Sequence, residues 1–214
     1  RMTALVKLDL SGSSIYNLPF FLSELQQLQE LSMARCQLNS IPGDIGSLTG
    51  LRALDLSSNQ ICRVPDGLCN LTGLTSLNLM CNNIIQLPAE IGQLSQVRLM
   101  GLKSNQLTSL PDSFTRLVAL VELFITGNRL TTLPEGFGAL TSLVKLQASF
   151  NAFTHLPRDM VQLPNLEMMR VAVCRLGGLP TGRELWSGLP TGLPATSSQA
   201  QGPSSPTDQL STAP

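Results

Sequence analysis

The chain has 214 residues, 43% of them hydrophobic and 13% charged, with 14 basic side chains balanced by 14 acidic ones. That is enough apolar chain to bury a sizeable core in one or two domains. Zero net charge gives no electrostatic reason to expect nucleic acid or an anionic membrane surface as partner, since both attract clustered Lys and Arg.

From Leu5 onward a leucine or its equivalent recurs every 23 residues, at Leu5, Leu28, Leu51, Leu74, Val97, Leu120, Leu143 and Leu166. Counting places from these residues, the units share LxxLxLxxNxLxxLPxxIxxLxx. In each unit the last three residues of LxxLxL alternate in-out-in, which predicts a short strand at places four to six. Successive strands then pair into one parallel sheet with leucine on its inner side. Place nine holds Asn59, Asn82, Asn105, Asn128 and Asn151 where the chain must turn. An amide both donates and accepts, so these residues are expected to satisfy turn backbone groups rather than to bind a ligand. Place fifteen is proline in all eight units, from Pro19 to Pro180, which fixes φ as the chain begins its return. One unit alone cannot bury its apolar side, and stacked units can.

This pattern resembles the leucine-rich repeat, in the 23-residue intracellular type found in Ras-pathway scaffolds, the Scribble and Erbin family and the plant Ras-group-related proteins. The resemblance covers residues 1–186. It implies an α/β solenoid, a horseshoe with a parallel concave β-sheet and irregular or short helical turns on the convex side.

The ends divide the chain further. Residues 1–6, "RMTALV", align in register with residues 116–121, "RLVALV", so Met2 falls on the last leucine position of a partial repeat, 1–4. A piece of a longer protein is expected. Seven full repeats occupy 5–165, and a degenerate one occupies 166–186. In the last, Leu176, Leu179 and Pro180 keep the pattern and Trp186 is expected to shield the end of the core. Residues 187–214 contain 18 Ser, Pro, Thr or Gly among 28 and a single charge, Asp208, which predicts a disordered tail or linker.

Chemistry is sparse. The charge-free run Gly67–Ala89 has the length of a membrane span, but its four asparagines, glutamine and proline argue against one. Five cysteines form no paired framework, and Cys36 and Cys174 stand at place nine as small turn residues. An unpatterned odd count points to a reducing, cytoplasmic setting, against which stands one sequon, "NLT" at Asn70. The single histidine, His155, has no acid or thiol partner at recognisable spacing, and no phosphate-cradling glycine motif is present. No catalytic residue, metal site or cofactor is therefore expected.

Recognition remains, and the outward residues of the strands are free to serve it. Repeats 1 to 3 are small and polar there. Repeats 4 to 8 carry Met80, Leu99, Phe124, Phe150 and Met168, bordered by Lys103, Glu122, Lys145 and Arg170. An apolar centre with a charged rim has the anatomy of a protein interface. A second use is open for the two aromatics, since Phe124 follows Gly101 by one period and Phe150 follows Gly127, and a ring laid over bare glycine repairs a sheet. The sequence thus predicts a protein-interaction module, and the resemblance implies an intracellular signalling scaffold with a small GTPase, phosphatase or kinase as partner. Two alternatives stand beside it, the regulatory region of a kinase- or GTPase-containing protein and an extracellular receptor ectodomain.

Overall fold

The computed structural model describes residues 4–174. Met2, Leu176, Leu179, Pro180, Trp186 and the 187–214 segment lie outside them. Each described unit contributes one strand: β1 (Lys7–Asp9), β2 (Glu30–Ser32), β3 (Ala53–Asp55), β4 (Ser76–Asn78), β5 (Leu99–Gly101), β6 (Glu122–Phe124), β7 (Lys145–Gln147) and β8 (Met168–Arg170). They form a single parallel sheet in chain order. Its register advances by one repeat per strand, so that Leu31, Leu54, Leu77, Met100, Leu123 and Leu146 align and are buried. The strands begin at place three, one residue earlier than the alternation suggested. The ladder also runs on beyond place five, because the Leu10 N–H donates to the Ser32 carbonyl at 2.8 Å and its equivalents do the same.

Opposite the sheet, each chain segment returns through a short 3₁₀ turn, for example Gly43–Ser47, Asp66–Asn70 and Asp112–Arg116. Pro42, Pro65 and Pro111 precede these turns, with φ between −74° and −68°. Each proline carbonyl accepts the N–H three residues on, at 2.9–3.2 Å. The ring pre-sets φ as the chain enters the turn. Between the two sides the core is one stripe of leucine, isoleucine and phenylalanine, with Phe114, Phe137 and Phe153 fully buried. Burying each such side chain stabilises the array by about 1.5–3 kcal/mol.

The asparagines hold the strand-to-turn corner. Asn59 Oδ1 accepts from the Cys36 and Leu38 N–H groups at 3.0 and 2.9 Å, while Nδ2 donates to the Met33 and Leu56 carbonyls at 2.8 and 2.9 Å. Each amide therefore ties its own repeat to the one before. Where Cys36 stands instead, its thiol donates to the Leu10 carbonyl at 3.1 Å, and Gln37 takes a left-handed φ of 63°.

Place eight is a turn position and not a strand position. Gly12, Arg35, Ser58, Cys81, Ser104, Gly127, Phe150 and Val173 all have φ between 55° and 76°. From Gly12 to Phe150 their N–H groups continue the inter-repeat ladder, as in Ser58 to Met80 O at 2.8 Å. The ladder thus imposes a left-handed backbone even on Phe150, whose N–H donates to the Ala172 carbonyl at 2.9 Å, and Val173 takes the same conformation, unfavourable for both.

The thiols give a direct check on burial. Cys36 and Cys69 are buried, Cys62 and Cys81 exposed. Burial, helped by Asp66 and Glu90, pushes the Cys69 thiol up to about 11. At pH 8 a thiol-specific reagent should modify Cys62 and Cys81 in the folded protein and reach Cys36 and Cys69 only on unfolding. Rapid native labelling of Cys69 would contradict the packing.

Candidate functional site

The outer face of the sheet consists of places three, five and seven, and its two halves differ in how far their polar groups are already satisfied. On repeats 1 to 4 they bond to one another. Lys7 Nζ meets Glu30 at 2.7 Å, and that hydrogen bond raises the Lys7 pKa above its ordinary value. Asp9 accepts from the Ser11 N–H at 2.9 Å, and its hydrogen bonds with Ser11, the side-chain one first, hold its carboxyl below the usual range. Ser11 and Ser32 share a 2.7 Å hydroxyl bond. Asp55 accepts from Ser57 N–H at 2.9 Å and from Asn78 Nδ2 at 3.1 Å.

From repeat 4 onward the face changes. Met80 follows β4 and leans over the next strand. A Cβ added at Gly101 would lie 2.7 Å from Met80 Cε and 2.8 Å from Asn78 Oδ1. The bare backbone of Gly101 is therefore covered from the preceding repeat. Phe124, whose Cα pairs with Gly101, flanks that spot from the following one. Likewise a Cβ added at Gly127 would have its nearest neighbours in Ser104, at 3.6–3.7 Å, and not in Phe150. Gly127 suits its place by its φ of 71°.

The register sorts the nine predicted residues. Met80 just after β4, Leu99 on β5 and Phe124 on β6 gather around Gly101, each partly exposed. Glu122 and Lys145 come next in the place-three row and approach to 3.8 Å. Lys145 Nζ also stands 5.1 Å from the centre of the Phe124 ring, within cation–π range. Met168 closes that row on β8, 37% exposed, with Lys145 between it and Glu122. Phe150, 59% exposed, sits in the turn after β7 and away from the row. Lys103 and Arg170 are exposed. The structure therefore brings Met80, Leu99, Phe124, Glu122 and Lys145 together, adds Met168 at the edge of the group beside Lys145, and sets Phe150 apart.

Elsewhere the chemistry is thin. His155 is exposed, and its Nδ1 lies 3.0 Å from the Thr154 hydroxyl. Among the described residues no group of three or more His, Cys, Asp or Glu could hold a metal ion, and no helix is long and apolar enough to cross a membrane.

An open array of 23-residue units, with one parallel sheet and a stripe of leucine behind it, defines a repeat solenoid of the kind whose sheet face is left for contacts. The family profile described as leucine-rich repeat region matches residues 68–182, and the single leucine-rich repeat profile matches 27–48 and 50–71. The chain belongs to the leucine-rich repeat family. No curated protein matches the sequence.

Solved structures do. A leucine-rich repeat protein of Leptospira interrogans is 29% identical, with a TM-score of 0.68 over 87% of this chain and 54% of that one. The Arabidopsis receptor kinase HAESA, solved with the peptide hormone IDA and a co-receptor, is 27% identical, with a TM-score of 0.73 over 81% and 31%. An internalin of Listeria monocytogenes is 25% identical, with a TM-score of 0.66 over 78% and 47%. The chain spans about half or less of the length of these three proteins.

Proposed function

We propose that the chain is a protein-interaction module that binds a protein partner on the sheet face of repeats 4 to 8 and performs no chemistry of its own. One observation carries this reading. On a face whose first half is occupied by its own hydrogen bonds, Phe124 is partly exposed beside Met80 and Leu99, and none of the three fills the core. A partly exposed aromatic with a cation against its ring is a typical anchor of a protein interface. The resemblance to Ras-pathway and Scribble-type repeats supports a signalling scaffold whose partner is a small GTPase, phosphatase or kinase. Five free thiols, two of them exposed, support a reducing cytoplasmic setting.

Phe124→Asp is the test. The variant should keep the far-ultraviolet circular dichroism and unfolding midpoint of the parent while losing capture of its partner. Loss of the folded signal would show that the ring is structural.

A second reading, a secreted or receptor ectodomain, is favoured by the likeness to a hormone-binding plant receptor and by the exposure of Asn70 and Thr72 in the one sequon. Expression through a secretory pathway separates the two. A mass shift removed by Asn70→Gln, in protein from the native source, supports the ectodomain and contradicts the cytoplasmic setting.

A further inference from the structure

The sheet face also indicates what kind of segment it takes, an inference that rests on the interaction reading above. Although the whole chain is neutral, the outer face of repeats 5 to 8 is not. It presents Lys103, Lys145 and Arg170 against the single carboxylate of Glu122. Glu122 approaches Lys145 only to 3.8 Å, and among the described residues no carboxylate lies within 4.0 Å of Lys103 or Arg170. On repeats 1 to 3, by contrast, each acid of the sheet face has a bonded neighbour.

We propose that the face of repeats 5 to 8 binds an acidic peptide segment of a partner, in which an aromatic or aliphatic residue is held between two carboxylates. The anchor residue rests on Leu99 and Phe124, and the carboxylates pair with Lys103 on one side and Arg170 on the other. Lys145, already against the Phe124 ring, contributes its charge to the middle of the site. Adjacent strands lie about 4.8 Å apart, so the step from β5 to β8 spans about 15 Å. An extended chain covers about 3.3 Å per residue, which sets the two acids about four to six residues apart. A basic segment meets like charge at each of these points, and complementary charge of this kind selects among partners and speeds their encounter.

The test pans a displayed library of random unmodified dodecapeptides on the whole 214-residue chain, then measures one enriched, fluorescein-labelled peptide by anisotropy. Three proteins are compared: the parent, Phe124→Ser, and the double variant Lys103→Glu with Arg170→Glu. Both charge positions are exposed, so folding is expected to survive. Enriched peptides should carry Asp or Glu on both sides of an apolar residue, and the double variant should bind at least about tenfold more weakly. Neutral or basic winners, or a change under about twofold in the double variant, overturn the proposal. If Phe124→Ser still abolishes binding in that case, the interaction reading stands alone. If it does not, both fall. Failure to enrich any peptide overturns the proposal, as does equally tight binding of single-stranded oligothymidine through the same two cations.

Discussion

Asn105→Ala lowers the unfolding free energy by about 2–4 kcal/mol, the cost of losing three buried hydrogen bonds and leaving one buried backbone N–H unpaired. Asn105 is buried at 8% exposure. Its Oδ1 accepts the Ile84 N–H at 3.0 Å, and its Nδ2 donates to the carbonyls of Leu79 at 2.9 Å and Leu102 at 3.1 Å. Those three groups belong to two repeats; the Leu79 and Leu102 carbonyls keep a bond from Asn82 at 3.1 Å and Asn128 at 2.9 Å, while the buried Ile84 N–H is left without a partner. Alanine removes all of these bonds and leaves a small void as well. The stability of a one-dimensional array depends on each interface between neighbours, so a mid-array break should also broaden the unfolding transition. Gln106→Ala, one residue on, removes a single exposed contact of 3.5 Å to Asn83 and should change stability by less than about 0.5 kcal/mol. Denaturant titration of both variants checks the contrast. Equal midpoints would show that the place-nine amide is dispensable.

Gly92→Ala is expected to lower stability by about 1–3 kcal/mol, from overpacking on the 3₁₀ side. A methyl group there would overlap the Ser113 carbonyl of the next repeat and crowd Arg116 Cβ at 3.1 Å. The Gly92 N–H is meanwhile held by the Ser113 hydroxyl at 3.2 Å, and that hydroxyl donates to the Ala89 carbonyl. The obstruction is backbone, which cannot swing aside, so the two turns must separate. Gly46 and Gly138 occupy the same place and face the carbonyls of Gly67 and Asp159. Gly43 is the control: a methyl there meets nothing within 4 Å, and Gly43→Ala should be nearly neutral. Thermal midpoints of Gly92→Ala and Gly43→Ala that coincide would contradict the close stacking of these turns.

The glycine result shows what the sequence hides. The period, the prolines and the asparagines were legible, because each corresponds to a backbone demand repeated every 23 residues with the same residue type. The left-handed corner at place eight is just as regular in the backbone. Yet Arg35, Cys81 and Phe150 share no chemistry, because the ladder dictates the conformation whatever the side chain. Gly46, Gly92 and Gly138 in "IGSL", "IGQL" and "FGAL" recur at twice the repeat, a signal easily lost when units are averaged.

The candidate site was legible in part. Sequence spacing identified which residues point away from the core, and the structure places all nine on the sheet side or its bordering turn. It could not tell that Met80 leans over Gly101, since that depends on side-chain direction and not on the count of places. With Met80 there, Phe124 is not needed to cover the glycine, and the ring's neighbours are instead Lys145 and the open face.

The most direct measurement is site-specific photocrosslinking. A benzophenone amino acid is placed at position 124 on the sheet face, or at position 118, where Val118 is 50% exposed on the return side of the repeat. Both proteins are irradiated in cells that express the parent protein. A discrete crosslinked partner at position 124, absent at position 118, is the expected result. Equal adducts at both positions, or an adduct at 118 alone, would contradict a binding face on repeats 4 to 8.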